Sequence, residues 1–436
     1  MRRKRARVFS VLILIVGCGA TIVPDSAHGD ELVIVGASII DPTLSGTQGP
    51  VTIVVDGGIF RSIGPAESVR VPESARVIDA TGRYALPGIA DMHNHLYTGT
   101  FQPGDDQLGV LRSLLDWGVT ATFDPGIRAE KYEALRGAIR EEPLAYPRTF
   151  LVKGVFTTDG GWGRGYAPAT TDEARAIVRE LKAVGSDGVK LMYDDMRWAT
   201  TRPFPIMDRA VMTAIIDEAH LQGMMAFAHA PILELAKEVL EGGVDCLIHG
   251  ILSDPIDSEF IELMHKNESC YISTLTMFQT NAGLKAWADR LDEFDTEDRL
   301  DPETLALFRK TPVGTPRLDN TGWAVERLPV LKANLLAVHR AGISVVLGTD
   351  TGIPGVLPGI AAQLEMAMHV EAGLTAEQTL QAATVNAARM MGQADVFGRI
   401  AEGMQADMLI LDADPREDIS NIRRIRHVIR GGRVVK

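Results

Sequence analysis

The chain has 436 residues, with 46% hydrophobic and 23% charged side chains and a formal charge of −13. That composition excludes intrinsic disorder and a collagen-like repeat, and three cysteines are too few for a disulfide framework. The acidic balance argues against nucleic acid as a partner, because phosphate binding needs a positive face.

The N-terminus departs from this average. Arg2, Arg3, Lys4, Arg5 and Arg7 precede an apolar run over residues 8–23, Pro24 ends it, and Ala27-His28-Gly29 offers small residues for cleavage. Basic start, apolar stretch and small-residue site predict a signal peptide over 1–29, hence export to a bacterial periplasm or secretion. Ile15-Val16-Gly17-Cys18 also resembles a lipobox, which would put a lipid on Cys18. Membrane contact is expected only through these two features.

From Glu31 onward, ELVIVGASII, VTIVVDGGIFRSIG and ARVIDATGRYALPG read as short antiparallel strands joined by tight turns. The C-terminus resumes the same texture in ADMLILDADP and IRHVIRGGRVV. Between them, eight short apolar runs alternate with stretches of helical period: IADMHNHLY, VTATFDPG, FLVKGVF, GVKLMYD, MMAFAHA, CLIHGI, CYISTLT and SVVLGTDTG. This order predicts an α/β protein, a (β/α)8 TIM barrel over 88–400. Residues 30–87 and 401–436 are expected to form one small β-sandwich domain from both chain ends. An insertion at about 280–330 carries eight carboxylates and two arginines between Ala288 and Glu303. It reads equally as a solvated helical face or as a partial lid.

Six residues fall at or near the C-terminal ends of predicted barrel strands, the face on which such barrels build their sites. They are His93 and His95 (strand 1), Lys190 (strand 4), His229 (strand 5), His249 (strand 6) and Asp350 (strand 8). Residues i and i+2 of a strand share a face, so His93 and His95 can both point at the barrel axis. Neutral imidazoles with a carboxylate suit zinc and similar ions. A single strand histidine is more often a core residue; four, with an inward Asp and Lys, predict metal binding. His220, His265, His339, His369 and His427 read as structural or solvent-facing, and Cys246 and Cys270 as core thiols.

The string LPGIADMHNH and the order HxH, Lys, His, His, Asp resemble the two-metal pattern of the amidohydrolase superfamily. GLTAEQTLQAATVNAARMMG, IAEGMQADMLILDADP and the short interval between His229 and His249 resemble its imidazolonepropionase-like and prolidase-like branch. The resemblance implies two divalent ions, with zinc expected. His93, His95 and Asp350 would hold the more buried ion, His229 and His249 the second, and a carbamylated Lys190 would bridge them. Ions sharing a water lower its pKa, and Asp350 would act as the catalytic base and then acid. Relatives of this type commonly form homo-oligomers.

Two loops depart from the family pattern. Many relatives carry GGH after strand 3, where this chain reads DGGWGRGYAP with Trp162 in the histidine's place; after strand 4, Tyr193, Asp194, Asp195 and Met196 replace the usual glycines. Substrate contacts are therefore expected from Tyr97, Trp162, Arg164, Tyr193 and Arg197, the arginines as carboxylate partners and the tyrosines as donors to a carbonyl. The leading expectation is hydrolysis of an amide or peptide bond in a dipeptide or N-acyl amino acid type small molecule. Rivals are a one-metal cyclic-amide hydrolase or deaminase, a lactone or ester hydrolase, and a non-catalytic exported binding protein. Deaminases of the superfamily usually carry HxxE after strand 5, whereas His229 is followed by APILE.

Overall fold

The computed structural model describes residues 31–43, 47–96, 106–295, 299–310 and 321–436, with side chains in the last segment from residue 325. The leader, Cys18 and Tyr97 lie outside the described residues. Among these residues no helix is long and apolar enough to cross a membrane.

Five strands open the fold: β1 (Leu32–Ile39), β2 (Gln48–Asp56), β3 (Ile59–Gly64), β4 (Arg76–Asp79) and β5 (Tyr84–Pro87). The barrel strands follow as β6 (Ile89–Asp91), β7 (Val119–Ile127), β8 (Arg148–Lys153), β9 (Val189–Met192), β10 (Ala226–His229), β11 (Cys246–Leu247), β12 (Cys270–Ile272) and β13 (Val345–Val346). The chain closes with β14 (Met408–Leu411), β15 (Ile425–Arg430) and β16 (Arg433–Val434). Each of the eight expected barrel strands forms at the apolar run that predicted it, β7 running one residue past the end of its run and β8 starting two residues before its own.

The two chain ends share one sheet of order β16-β15-β14-β5-β1-β2-β3. They join where β14 runs antiparallel to β5, with Leu409 opposite Leu86. The pairing is mostly antiparallel, but β1 is long enough to take β4 and then β5 in parallel along one edge. Ile34, Ile53, Phe60, Ala85, Met408, Ile410 and Ile429 bury together, so neither end has a core without the other.

The barrel strands pair in parallel as β6-β7-β8 and β9-β10-β11-β12-β13. Backbone hydrogen bonds join the two arcs. Met92 N–H donates to Leu347 at 2.9 Å beside β13, and Phe156 N–H donates to the Lys190 carbonyl at 2.7 Å beside β9. Phe123, Phe150, Phe227, Ile272 and Val346 come from strands around the barrel and bury in one cluster, which fills its interior. In the β9–β10 register Phe227 lies opposite Lys190 and His229 opposite Met192. Phe227 points inward, so Lys190 does too, and His229 follows two residues later on the same face.

Cys246 and Cys270 are not free core thiols. They occupy paired positions on β11 and β12, with Cα atoms 4.4 Å apart, and form a disulfide. That Cα separation is at the short end of the range a disulfide spans. The bridge pins the strand that carries His249 to its neighbour.

In the insertion, helix Leu284–Phe294 buries Leu284, Trp287, Ala288 and Leu291. Its Trp287 indole donates to the Gly355 carbonyl at 2.7 Å, anchoring the helix on the loop after β13. Its outer side pairs with the next helix, Pro302–Lys310, through Arg309 with Asp289 at 2.9 Å and Asp292 at 2.6 Å. Asp289 and Asp292 thus lie on a charged outer face over an apolar base.

Candidate metal centre

His93, Asp350 and His249 converge at the C-terminal rim of the barrel. Each offers a ligand atom within 4.8 Å of the others, and all three are buried. His95 joins them, its Nε2 lying 3.2 Å from Asp350 Oδ1, and the His229 ring sits 4.2 Å from that of His249. Lys190 is 2% exposed and lies close enough to feel the Asp350 charge.

The surroundings decide which nitrogen of each ring is bare. A carbonyl only accepts, so the 2.7 Å contact with Ile248 O makes His93 Nδ1 the protonated nitrogen and leaves Nε2 with a lone pair. That lone pair faces Asp350 Oδ1 at 3.4 Å. Both atoms are buried, and His93 Nε2 has no hydrogen-bond partner; the other group beside Asp350 Oδ1 is His95 Nε2 at 3.2 Å. Two acceptors buried face to face are costly unless a cation lies between them. Asp124 Oδ1 approaches His95 Nδ1 at 3.3 Å and turns Nε2 inward, and Thr274 Oγ1 holds His249 Nδ1 at 2.9 Å. The donor set of imidazole nitrogens and a carboxylate fits zinc or a similar divalent ion.

Backbone geometry sets Asp350. It adopts φ +61°, a left-handed conformation that strains most residues and that marks functional sites. Gly352 permits this bend: at φ +100° a Cβ there would lie 2.2 Å from the His95 carbonyl. Below the site, buried Asp91 accepts from the Thr349 backbone N–H at 3.1 Å and from its hydroxyl at 2.8 Å, tying β6 to the segment that carries Asp350.

Burial holds His93 and His249 well below the ordinary histidine pKa. At His95 burial also opposes protonation, but the Asp124 and Asp350 carboxylates outweigh it and raise the pKa to about 8. Burial lowers Lys190 to about 8 although Asp350 and Asp124 favour its charge. Asp350 is pushed below the carboxylate range, because His93, His95 and Lys190 overcome its burial. These values carry a sign for metal uptake. His95 binds a proton below about pH 8, and a protonated ring has no lone pair to give. Zinc affinity of the metal-free protein is therefore expected to fall by about tenfold for each pH unit below 8. Chelator competition checks this, and a constant affinity from pH 6 to 8 would contradict it.

The expected substrate contacts fare differently. Tyr193 lies three positions after Lys190, an odd spacing that turns it out of the barrel. Its hydroxyl donates to Glu238 Oε2 at 2.5 Å on helix Leu233–Glu241, so it does not face a substrate carbonyl. Arg197 is taken up by Asp195 at 2.7 Å and Glu234 at 3.6 Å, on the surface. Trp162 is half-buried with its ring edge-on to Phe204, and Arg164 is exposed on the same loop. Four residues outside the six support the site: Asp91, Asp124, Asp194 and Thr274. Asp91 and Asp124 were visible as carboxylates inside the apolar runs IADMHNHLY and VTATFDPG, where a charge needs a reason. His369 is buried beside Ser273 and Glu365, consistent with a structural role.

Residues 84–435 match the family model described as "Amidohydrolase family". The chain belongs to this family of metal-dependent hydrolases acting on carbon–nitrogen bonds. An imidazolonepropionase of Porphyromonas gingivalis is 23% identical over 417 residues, covering 89% of this chain and 90% of the relative. Among solved structures, a Xaa-Pro dipeptidase with bound methionine superposes with a TM-score of 0.74 at 24% identity, covering 93% of this chain and 99% of that one. The Aspergillus niger ochratoxinase gives 0.72 at 19% identity, covering 94% and 96%. These likenesses establish the barrel with its terminal β domain.

Proposed function

We propose that the chain is an exported two-metal amidohydrolase that cleaves the amide or peptide bond of a dipeptide or N-acyl amino acid type substrate. The observation that carries this reading is the buried, unpartnered His93 Nε2 facing the Asp350 carboxylate at 3.4 Å. His93, His95 and Asp350 would hold one ion, and His229 and His249 the second, zinc being the ion the donors suit best. Bound cations would supply an activated water and polarise the scissile carbonyl.

The protein's own groups do the rest. Lys190, with its pKa lowered to about 8, has a neutral fraction near neutral pH. Its Nζ can form a bond to the carbon of carbon dioxide and release a proton, leaving a carbamate anion between the two ligand pairs. An unmodified ammonium there would repel both cations. Asp350 is a carboxylate throughout the neutral range, so it can take a proton and return it to the departing amine. Trp162 and Arg164 are the described residues of the strand-3 loop proposed to meet the substrate, and Tyr97, two positions after His95 in the sequence, is proposed with them. The basic, apolar leader over 1–29 supports export.

A panel of dipeptides, N-acyl amino acids, cyclic amides and esters, run on metal-loaded protein with bound ions quantified in the same sample, tests the reading. Amide turnover with about two ions per chain is expected. One ion per chain with cyclic-amide turnover would favour the single-metal alternative, to which the three-residue cluster of His93, His249 and Asp350 gives some support. No hydrolysis across the panel would contradict the proposal.

A further inference from the structure

Asp194 is 1% exposed, and its carboxylate is fully engaged. Oδ1 accepts from the Met196 backbone N–H at 2.9 Å. Oδ2 accepts from the Trp198 indole N–H at 2.7 Å and lies 3.0 Å from His229 Nε2. A carboxylate only accepts, so Nε2 carries the proton and Nδ1 is the bare nitrogen of His229. The indole is 2% exposed, with its ring 5.4 Å from Phe278. The ring of Phe278 in turn lies 6.2 Å from that of His249. The neighbouring Tyr193 N–H also donates to the His229 carbonyl at 3.0 Å. Both the ring and the backbone of His229 are therefore held by the four-residue segment that leaves Lys190.

We infer that Asp194 is a positioning residue of the metal centre, fixing the tautomer and ring plane of His229 so that Nδ1 is presented to the second cation. The inference rests on the two-metal reading. Its physical basis is general: a carboxylate behind a ligating imidazole orients the ring and raises its basicity, and its loss typically weakens metal binding by about 10–100-fold. Trp198 acts one step further back, holding the Asp194 oxygen that meets the ring. This arrangement also accounts for the departure from glycine after strand 4, since glycines could supply neither group.

The test compares wild type with Asp194→Ala, Asp194→Asn and Trp198→Phe. Zinc content is measured after dialysis, zinc affinity by chelator competition, and thermal unfolding on the metal-free proteins. Asp194→Ala is expected to keep one tight zinc and to weaken the other by about 10–100-fold, with metal-free unfolding little changed. Asp194→Asn retains an acceptor without its charge and should lose less, and Trp198→Phe least. Two zinc ions at wild-type affinity in Asp194→Ala would overturn the inference alone. Should that variant fail to fold, wild-type affinity in Asp194→Asn would do the same. Wild-type protein that takes up fewer than two zinc ions would overturn the two-metal reading, and this inference with it.

Discussion

Replacing Lys190 by alanine is expected to lower kcat/KM by at least about 10³-fold and to reduce bound metal together with it. The magnitude follows from the several kcal/mol attributed to metal-assisted charge stabilisation, at about 1.4 kcal/mol per tenfold. Lys190 is buried in the lumen opposite Phe227, where a free ammonium has little reason to be. Burial lowers its pKa to about 8, so the reactive neutral amine is accessible without an added base. The variant also opens a side-chain-sized void, which a short carboxylic acid such as propionate fits. Added propionate should therefore restore part of the metal content, an effect that a general loss of packing would not produce. Intact activity and metal content in Lys190→Ala would remove the carbamate bridge from the account.

The second large effect is expected at Asp350. Asp350→Asn should lower kcat by about 10²–10⁴-fold, the usual contribution of general acid–base catalysis, with a smaller change in KM. Asparagine suits the experiment because it shares with aspartate an unusual tolerance of the left-handed backbone found at φ +61°. The fold is thus preserved while the proton acceptor is lost. Asp350 titrates below the ordinary carboxylate range, held there against its burial by His93, His95 and Lys190. It is in its base form at any working pH, so an acid limb near neutrality should arise from other groups. Steady-state kinetics with metal content measured in parallel decides the matter. A kcat within tenfold of wild type would show that Asp350 moves no proton in the slow step.

Much of this was legible in the sequence because burial leaves a strong pattern. The eight apolar runs became the eight barrel strands, and HxH at the end of the first placed two imidazoles on one face. What was lost depended on register and parity. Tyr193 reads as a substrate contact because it follows strand 4 where the family carries glycine, but three residues along a strand from Lys190 reverse the side chain's direction, and Glu238 receives its hydroxyl. The cysteines open CLIHGI and CYISTLT at equivalent positions, and parallel pairing of consecutive strands sets them side by side. Only knowledge of the register turns that coincidence into a bond. Asp194 was noticed as an anomaly after strand 4, yet its contact with His229 crosses from one strand end to the next, which no local pattern encodes. The substrate loops stay least legible, since Trp162 and Arg164 belong to a stretch without the periodicity of helix or strand.

The central claim is that six side chains from five strand ends hold two cations bridged by a modified lysine. Anomalous X-ray diffraction from crystals of the zinc-loaded protein tests it most directly. The account predicts two zinc peaks, one among His93, His95 and Asp350 and one beside His229 and His249, with density continuing from Lys190 Nζ between them. An absence of zinc at these residues, or an unmodified Lys190 turned away from them, would contradict it.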